Sequence, residues 1–341
     1  MLPMRTETRR FRYRLAAMIM LALAGLTALP LRAQEQTCLS SSEMDAGTAA
    51  ALQAAARQYF DMSARGDAFD LRASAIPALA SNFSGVEAAI TEHKADFAGA
   101  QSTVASLYVL QAPGAAPIAR AEFFCGIFNS PDRVSFVIPN LPPGAYAVVT
   151  QNISGGKQPV RLTLVLQQVS GSWKLAGYTI TDTQAGGRDM QWYLTQARAF
   201  KARAANVAAY LYYLEAWELA APVNFAYTAQ RDKIADEMQS AKPADWPSPD
   251  KPLDIAAAGK TYRVTQIFPE MVGNDLDLIV KYAALSDVSN TAAAFQDNMA
   301  VIKGMVARYP ELRDAFAGVV ARAVDASGRD YGSLLAMKDV K

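Results

Sequence analysis

The chain carries one histidine, His93, so any imidazole base must be this one. Its neutral ring would take up a proton near an ordinary pKa of about 6.5. Val86, Ile90 and Phe97 fall at helical spacing with it, which would turn it inward. Glu92 and Lys94 beside it suit the rim of a solvated helix instead. Two carboxylates are the other candidates. Asp61 follows Tyr59-Phe60 in a helical pattern. Facing an apolar cavity, its pKa would rise and it could abstract a proton beside a carbonyl. Facing water, it would pair with Arg57 or Arg65, each four residues away. Glu122 stands between Ala121 and Phe123 in an alternating run and faces either a cavity or the polar side of a strand. Spacing alone joins no two of these three into a constellation.

The aromatic residues point to binding more than to reaction. Tyr59, Phe60, Phe124, Phe128, Tyr146 and Tyr178 are suited to the wall of an apolar ligand pocket, and equally to a core. Trp192, Tyr193, Tyr210, Tyr212, Tyr213 and Trp217 crowd a helical pair, as internal packing or, if exposed, as a partner surface. Gly155-Gly156-Lys157 lacks the spacing and the following Ser/Thr of a phosphate loop. No dinucleotide glycine fingerprint, zinc-binding histidine pair or nucleophile elbow occurs, and Asp275 and Asp277 lack the ligand spacing of a calcium loop. No metal and no cofactor are expected. Cys38 and Cys125 are the only cysteines; they are either a disulfide, which an oxidising compartment favours, or two separate thiols.

Residues 1–33 bear on that compartment. Arg5, Arg9, Arg10, Arg12 and Arg14 precede an apolar run from Leu15 to Leu29, and Pro30, Leu31, Arg32 and Ala33 follow. A basic start, a short apolar core and a small final residue mark a secretory signal. A membrane span needs roughly 20 apolar residues, more than this run provides. Cleavage is expected after Ala33, with Ala28 as the alternative position and an uncleaved anchor as the alternative outcome. The expected location is periplasmic or secreted, with no integral membrane segment after cleavage. Losing the signal's six arginines and one glutamate turns the net charge from +1 to −4. That balance supplies no basic patch for nucleic acid. With 51% hydrophobic residues, a sizeable core is available.

The positioning elements follow from periodicity. Residues 34–45 are polar and read as a flexible N-terminus. Residues 46–66 are helical, with Leu52, Ala56, Tyr59 and Ser63 on one face. A second helical region runs through Leu71, Ile76 and Leu79 and is broken or bent by Pro77; a third follows Ser84. Past Gly99 the period becomes two. Runs at 103–111, 119–128, 133–138, 145–152, 158–168 and 172–181, with turns at Pro142-Pro143-Gly144 and Ser170-Gly171, describe a twisted antiparallel meander. Helices return at 189–203, 205–220 and 226–241. Residues 242–252 hold four prolines and read as a stiff linker. A hairpin at 260–268 and 275–283, a helix at 290–308 and strands at 315–324 and 331–337 make residues 253–341 a small α+β domain. The fold class is α+β.

Residues 46–183 resemble the NTF2-like superfamily, a cone of helices and curved sheet. The likeness rests on the opening helix, two shorter helices and the closing hairpin Val160-Arg161-Leu162-Thr163-Leu164-Val165-Leu166 and Trp173-Lys174-Leu175-Ala176-Gly177-Tyr178. Residues 189–221 resemble a single tetratricopeptide-type hairpin, carried by Tyr212-Tyr213 and alanine-rich faces, and no second copy at a 34-residue period occurs. The whole chain resembles exported bacterial proteins of uncharacterised role. The NTF2-like resemblance implies a deep cavity between opening helix and sheet, used by some members for isomerase or dehydratase chemistry and by others for binding only. Fold does not choose between these uses. The expected function is therefore binding of an apolar small molecule or a protein partner, with Tyr59, Phe60, Phe124, Tyr146 and Tyr178 as ligand-binding residues. The alternatives are a cofactor-free lyase or isomerase using His93, Asp61 or Glu122, and an envelope scaffold. Homo-oligomers are compatible with all three.

Overall fold

The computed structural model describes residues 35–127 and 130–341. The run read as an export signal lies outside them, as does Phe128. The opening helix α1 (Ala46–Arg65) starts where the Asp45 carboxylate accepts the Thr48 N–H at 2.8 Å. It ends at Gly66, whose φ of 68° is the left-handed conformation that glycine adopts without strain. Leu52, Ala56, Tyr59, Phe60, Met62 and Ser63 form its buried stripe. The short helices α2 (Ala68–Ala73), α3 (Pro77–Ala80), α4 (Ser84–Glu92) and α5 (Lys94–Phe97) follow. Pro77 does not bend a continuous helix. It opens α3, in the first turn where a missing N–H costs nothing.

A five-stranded antiparallel sheet packs against these helices. Its order is β1 (Thr37–Ser40), β2 (Gln101–Ala112), β5 (Gly144–Ser154), β6 (Val160–Val169) and β7 (Ser172–Asp182). Two expectations are corrected here. Residues 35–45, the described part of that stretch, are not a loose tail: β1 pairs with β2 and Met44 is buried. The meander is also not continuous. Strands β3 (Ile118–Cys125) and β4 (Val134–Leu141) leave the sheet and pair with β10 (Ala226–Thr228) in a second sheet. Alternation explains why. Ala121, Phe123 and Cys125 need cover on one face, and they find it on Leu110, Tyr146 and Val148, on the side of the large sheet turned away from α1. A disulfide joins Cys38 on β1 to Cys125 on β3 across 87 residues.

The second half begins with the small hairpin β8 (Gln184–Ala185) and β9 (Arg188–Asp189) and the helices α6 (Met190–Ala202), α7 (Asn206–Leu219) and α8 (Ala229–Ala241). Then come β11 (Leu253–Ala257), β12 (Lys260–Val272), β13 (Asp275–Ala283), α9 (Thr291–Arg308), α10 (Leu312–Ala315), β14 (Gly318–Val324) and β15 (Asp330–Ala336). The sheet order is β11-β12-β13-β14-β15. Only β13 and β14 run parallel, and α9 supplies the crossover that parallel neighbours require. One hydrophobic cluster runs from Tyr193 and Phe200 through Tyr212 to Val280 and Val306. Residues 242–252 are therefore a strap on this shared core rather than a spacer between separate bodies. Trp246 lies 4.5 Å from the Tyr210 ring, and Tyr212 donates its hydroxyl hydrogen to the Ala315 carbonyl.

Polar side chains fasten α9 to this sheet. Asp297 Oδ1 accepts from Lys260 Nζ at 2.7 Å and from the Tyr262 hydroxyl at 2.9 Å. The next residue, Asn298, is wholly buried. It accepts from the Tyr282 hydroxyl at 2.8 Å and donates to Tyr331 O and Ser333 Oγ. No described helix is long and apolar enough to cross a membrane.

Candidate functional site

Between α1 and the adjoining ends of β2 and β5 lies an open cleft of ≈ 630 Å3. Gln53, Arg57 and Asp61, each four residues apart, form its α1 wall together with Phe60. A second hollow of ≈ 460 Å3 on the outer side of α1 shares Gln53, Arg57 and Asp61, so these three stand on the ridge between the two. A β-bulge between Val104 and Ser106 shapes the opposite wall. After the bulge Leu107 and Val109 face the helices; before it, Ser102 and Val104 take that face beside Ile153 and Gln151.

Gln151 is the unusual residue of this wall. It sits in phase with Ala147, Val149 and Ile153 on the helix-facing side of β5 and is 1% exposed. Its Oε1 accepts from Ser102 Oγ at 2.6 Å, and its Nε2 has no hydrogen-bond partner. A buried polar group left half satisfied costs about 1–3 kcal/mol. The groups above it are also uncommitted: among the described residues neither Arg57 nor Asp61 makes an ion pair, while Arg65 lies 3.9 Å from Asp67 instead. A half-satisfied amide, together with a guanidinium and a carboxylate that make no ion pair among the described residues, thus borders one cleft.

The other two acid–base candidates lie elsewhere. His93 stands between α4 and α5, with Nδ1 3.0 Å from Asp96 Oδ2. Asp96 Oδ1 accepts the Gln158 N–H at 3.2 Å, and Lys157 N–H donates to Ala95 O. This joint holds α5 against the β5–β6 turn. It requires Gly156, where a Cβ would sit 1.8 Å from Asp96 O. Glu122 is exposed on β3 and pairs with Arg120, and its N–H donates to Gln36. The three therefore do not converge.

The five aromatic candidates do not share a pocket either. Tyr59 donates to the Ser74 and Trp173 carbonyls, and Phe60 meets Phe97 at 6.0 Å. Tyr178 donates to Ser63 Oγ at 2.9 Å, which itself donates to Tyr59 O, and burial pushes the Tyr178 hydroxyl up to about 12. These side chains, with Leu52, Leu162 and Leu164, fill the space between α1 and the sheet as core. Tyr146 packs on the sheet's other face, donating to Pro142 O, and Phe124 is 43% exposed on β3. Only Phe60 reaches the cleft. Tyr178→Phe is expected to cost about 1 kcal/mol by freeing Ser63, measured as a small fall in urea midpoint.

Glu215 on α7 is a further residue whose chemistry the fold alters. It has no hydrogen bond or ion pair among the described residues. Burial, then Glu218 and Asp182, raise its pKa from 4.5 to about 7. The sign follows from linkage: between pH 4.5 and 7 the unfolded chain gives up this proton while the folded chain keeps it. Stability is undiminished below pH 4.5, falls across that window and is reduced throughout the range above 7. Glu215→Gln is expected to raise stability at pH 8 by about 2 kcal/mol, allowing for its partial exposure, and to change little at pH 4. Urea unfolding of both proteins at the two pH values checks this; equal gains at both would refute it.

Compared with protein families, curated proteins and solved structures, the chain matches none. Among the described residues no group of three or more histidines, cysteines or carboxylates could hold a metal ion.

Proposed function

We propose that this protein is exported, that residues 46–183 are an NTF2-like cone, and that it binds a small polar molecule in the cleft between α1 and the β2–β5 edge. The half-satisfied Gln151 amide carries the reading. Gln151 lines the cleft, and a small turn of its side chain would bring the enclosed Nε2 to a ligand acceptor and complete a buried group that the protein leaves incomplete. Arg57 suits an anionic group on the same ligand, Asp61 a hydroxyl or ammonium, and Phe60 a short apolar stem. The ligand class is thus a small amphoteric molecule, such as an amino acid or a hydroxy acid, instead of the apolar one expected from the aromatic residues. The order of helices and sheet supports the cone, and the N-terminal basic–apolar run supports export.

The second reading is a cofactor-free lyase or isomerase. What favours it is a carboxylate and a guanidinium bordering one cleft, able to take a proton and to hold a developing negative charge. Isothermal titration with amino acids, small hydroxy acids and fatty acids tests the two. A hit is expected among the first two groups, weakened about 10–100-fold in Arg57→Ala. Binding of fatty acids only, unchanged in Arg57→Ala, would defeat the proposal. Turnover of a hit that stops in Asp61→Asn would replace binding with catalysis.

A further inference from the structure

On the face of the large sheet turned away from α1, we propose a second site, a carboxylate-binding niche built on Arg161. It stands independently of the α1 cleft. Arg161 projects from β6 opposite Asn152 and Thr181, its cross-strand neighbours. Its Nη1 donates to Ala221 O at 2.9 Å, with Leu219 O at 3.5 Å, which ties the end of α7 to the sheet. Nothing acidic neutralises it: among the described residues it has no ion pair. Nε and Nη2 find no protein acceptor, and neither is among the fully enclosed polar atoms. The two together are the face of a guanidinium that grips a planar carboxylate with parallel hydrogen bonds.

Space and partners for such a ligand are present. Arg161 lines a cleft of ≈ 360 Å3 bounded by the end of β5, the start of β6, the start of α6 and the end of α7. Asn152, Gln184, Gln191 and Gln230 bring neutral amides to it. One carboxylate, Asp189, also lines the cleft and would repel an anion, but it caps α6 by accepting the Trp192 N–H at 2.9 Å. The positive end of that 13-residue helix offsets its charge. Burial lowers the Arg161 pKa from its ordinary value, the expected cost of a desolvated cation without a counter-ion. A bound carboxylate supplies one.

The test follows the Arg161 Nε–H signal by 15N NMR while sodium acetate or sodium lactate replaces sodium chloride at constant ionic strength. A saturable shift is expected with both, with a millimolar dissociation constant and no response to chloride. Arg161→Lys keeps the charge and a donor for Ala221 O but loses the planar fork. The lysine variant is expected to bind lactate at least about tenfold more weakly while its far-UV spectrum is unchanged. The wild-type signal decides the matter even if the variant does not fold. No saturable shift overturns the site, and so does equal lactate affinity in a folded Arg161→Lys. Tighter binding of inorganic phosphate than of either carboxylate, at the same signal, overturns the assignment to carboxylates.

Discussion

Replacing both Cys38 and Cys125 by serine will lower stability by about 4–5 kcal/mol in the chain-entropy account of an 87-residue loop. The bond closes a loop that contains α1 and all of β2, so the unfolded chain gains much freedom when it opens. The folded state gains little relief. The β1 strand is four residues long and sits at the edge of the sheet, and without the bridge it is held by its ladder with β2 and by the Glu122 N–H bond to Gln36 beside it. The oxidised protein, the same protein in dithiothreitol and the double serine variant should be unfolded in urea. The latter two are expected to share one lowered midpoint. A midpoint unchanged by reduction would show that the bridge contributes nothing to holding β1.

Asn298→Ala is expected to cost about 3–4 kcal/mol, more than the loss of one ordinary hydrogen bond. The reason is what it strands: the Tyr282 hydroxyl, the Ser333 hydroxyl and the Tyr331 carbonyl all lose a partner, two of them in a dry interior. Tyr282→Phe in the same chain removes one of the stranded groups and is expected to return about 1 kcal/mol of that loss. Denaturant unfolding of the single and double variants measures this coupling. If the two costs simply add, the network does not act as a unit. Asn298 attracted no notice in the sequence because a polar residue within an amphipathic helix pattern looks solvated. Only the placement of Tyr282 and Ser333 on β13 and β15 shows that it is not.

Periodicity made much of the fold legible. The β6–β7 hairpin, the hairpin around Gly273-Asn274 and the long α9 all announce themselves by alternation or by helical spacing. Elements that gain their order from elsewhere do not. β1 is a polar Thr-Cys-Leu-Ser stretch held by a bridge and a neighbour, β10 is three residues long, and β11 hides directly behind four prolines. Alternation also tells which residues of β3 and β4 need cover, not which sheet provides it, so the second sheet was invisible. The site was partly legible. Asp61 and Phe60 border the cleft, whereas His93 and Glu122 are committed to Asp96 and Arg120 and are not part of its lining. The missed residue, Gln151, left one signal: it is the polar break in the apolar series Ala147, Val149 and Ile153. A polar residue on the buried phase of a strand has to be satisfied by something, and here half of it is not.

Ligand binding in the α1 cleft turns on that half-satisfied amide. The most direct measurement follows the Gln151 side-chain amide protons by 15N NMR as the tightest-binding amino acid or hydroxy acid is added. Binding in the α1 cleft requires these resonances to shift in step with saturation, and Gln151→Leu to weaken the same ligand about tenfold or more while keeping the urea midpoint at or above that of the parent protein. Saturation of the protein with the Gln151 amide unmoved, and full affinity in Gln151→Leu, would place the ligand elsewhere and contradict the account.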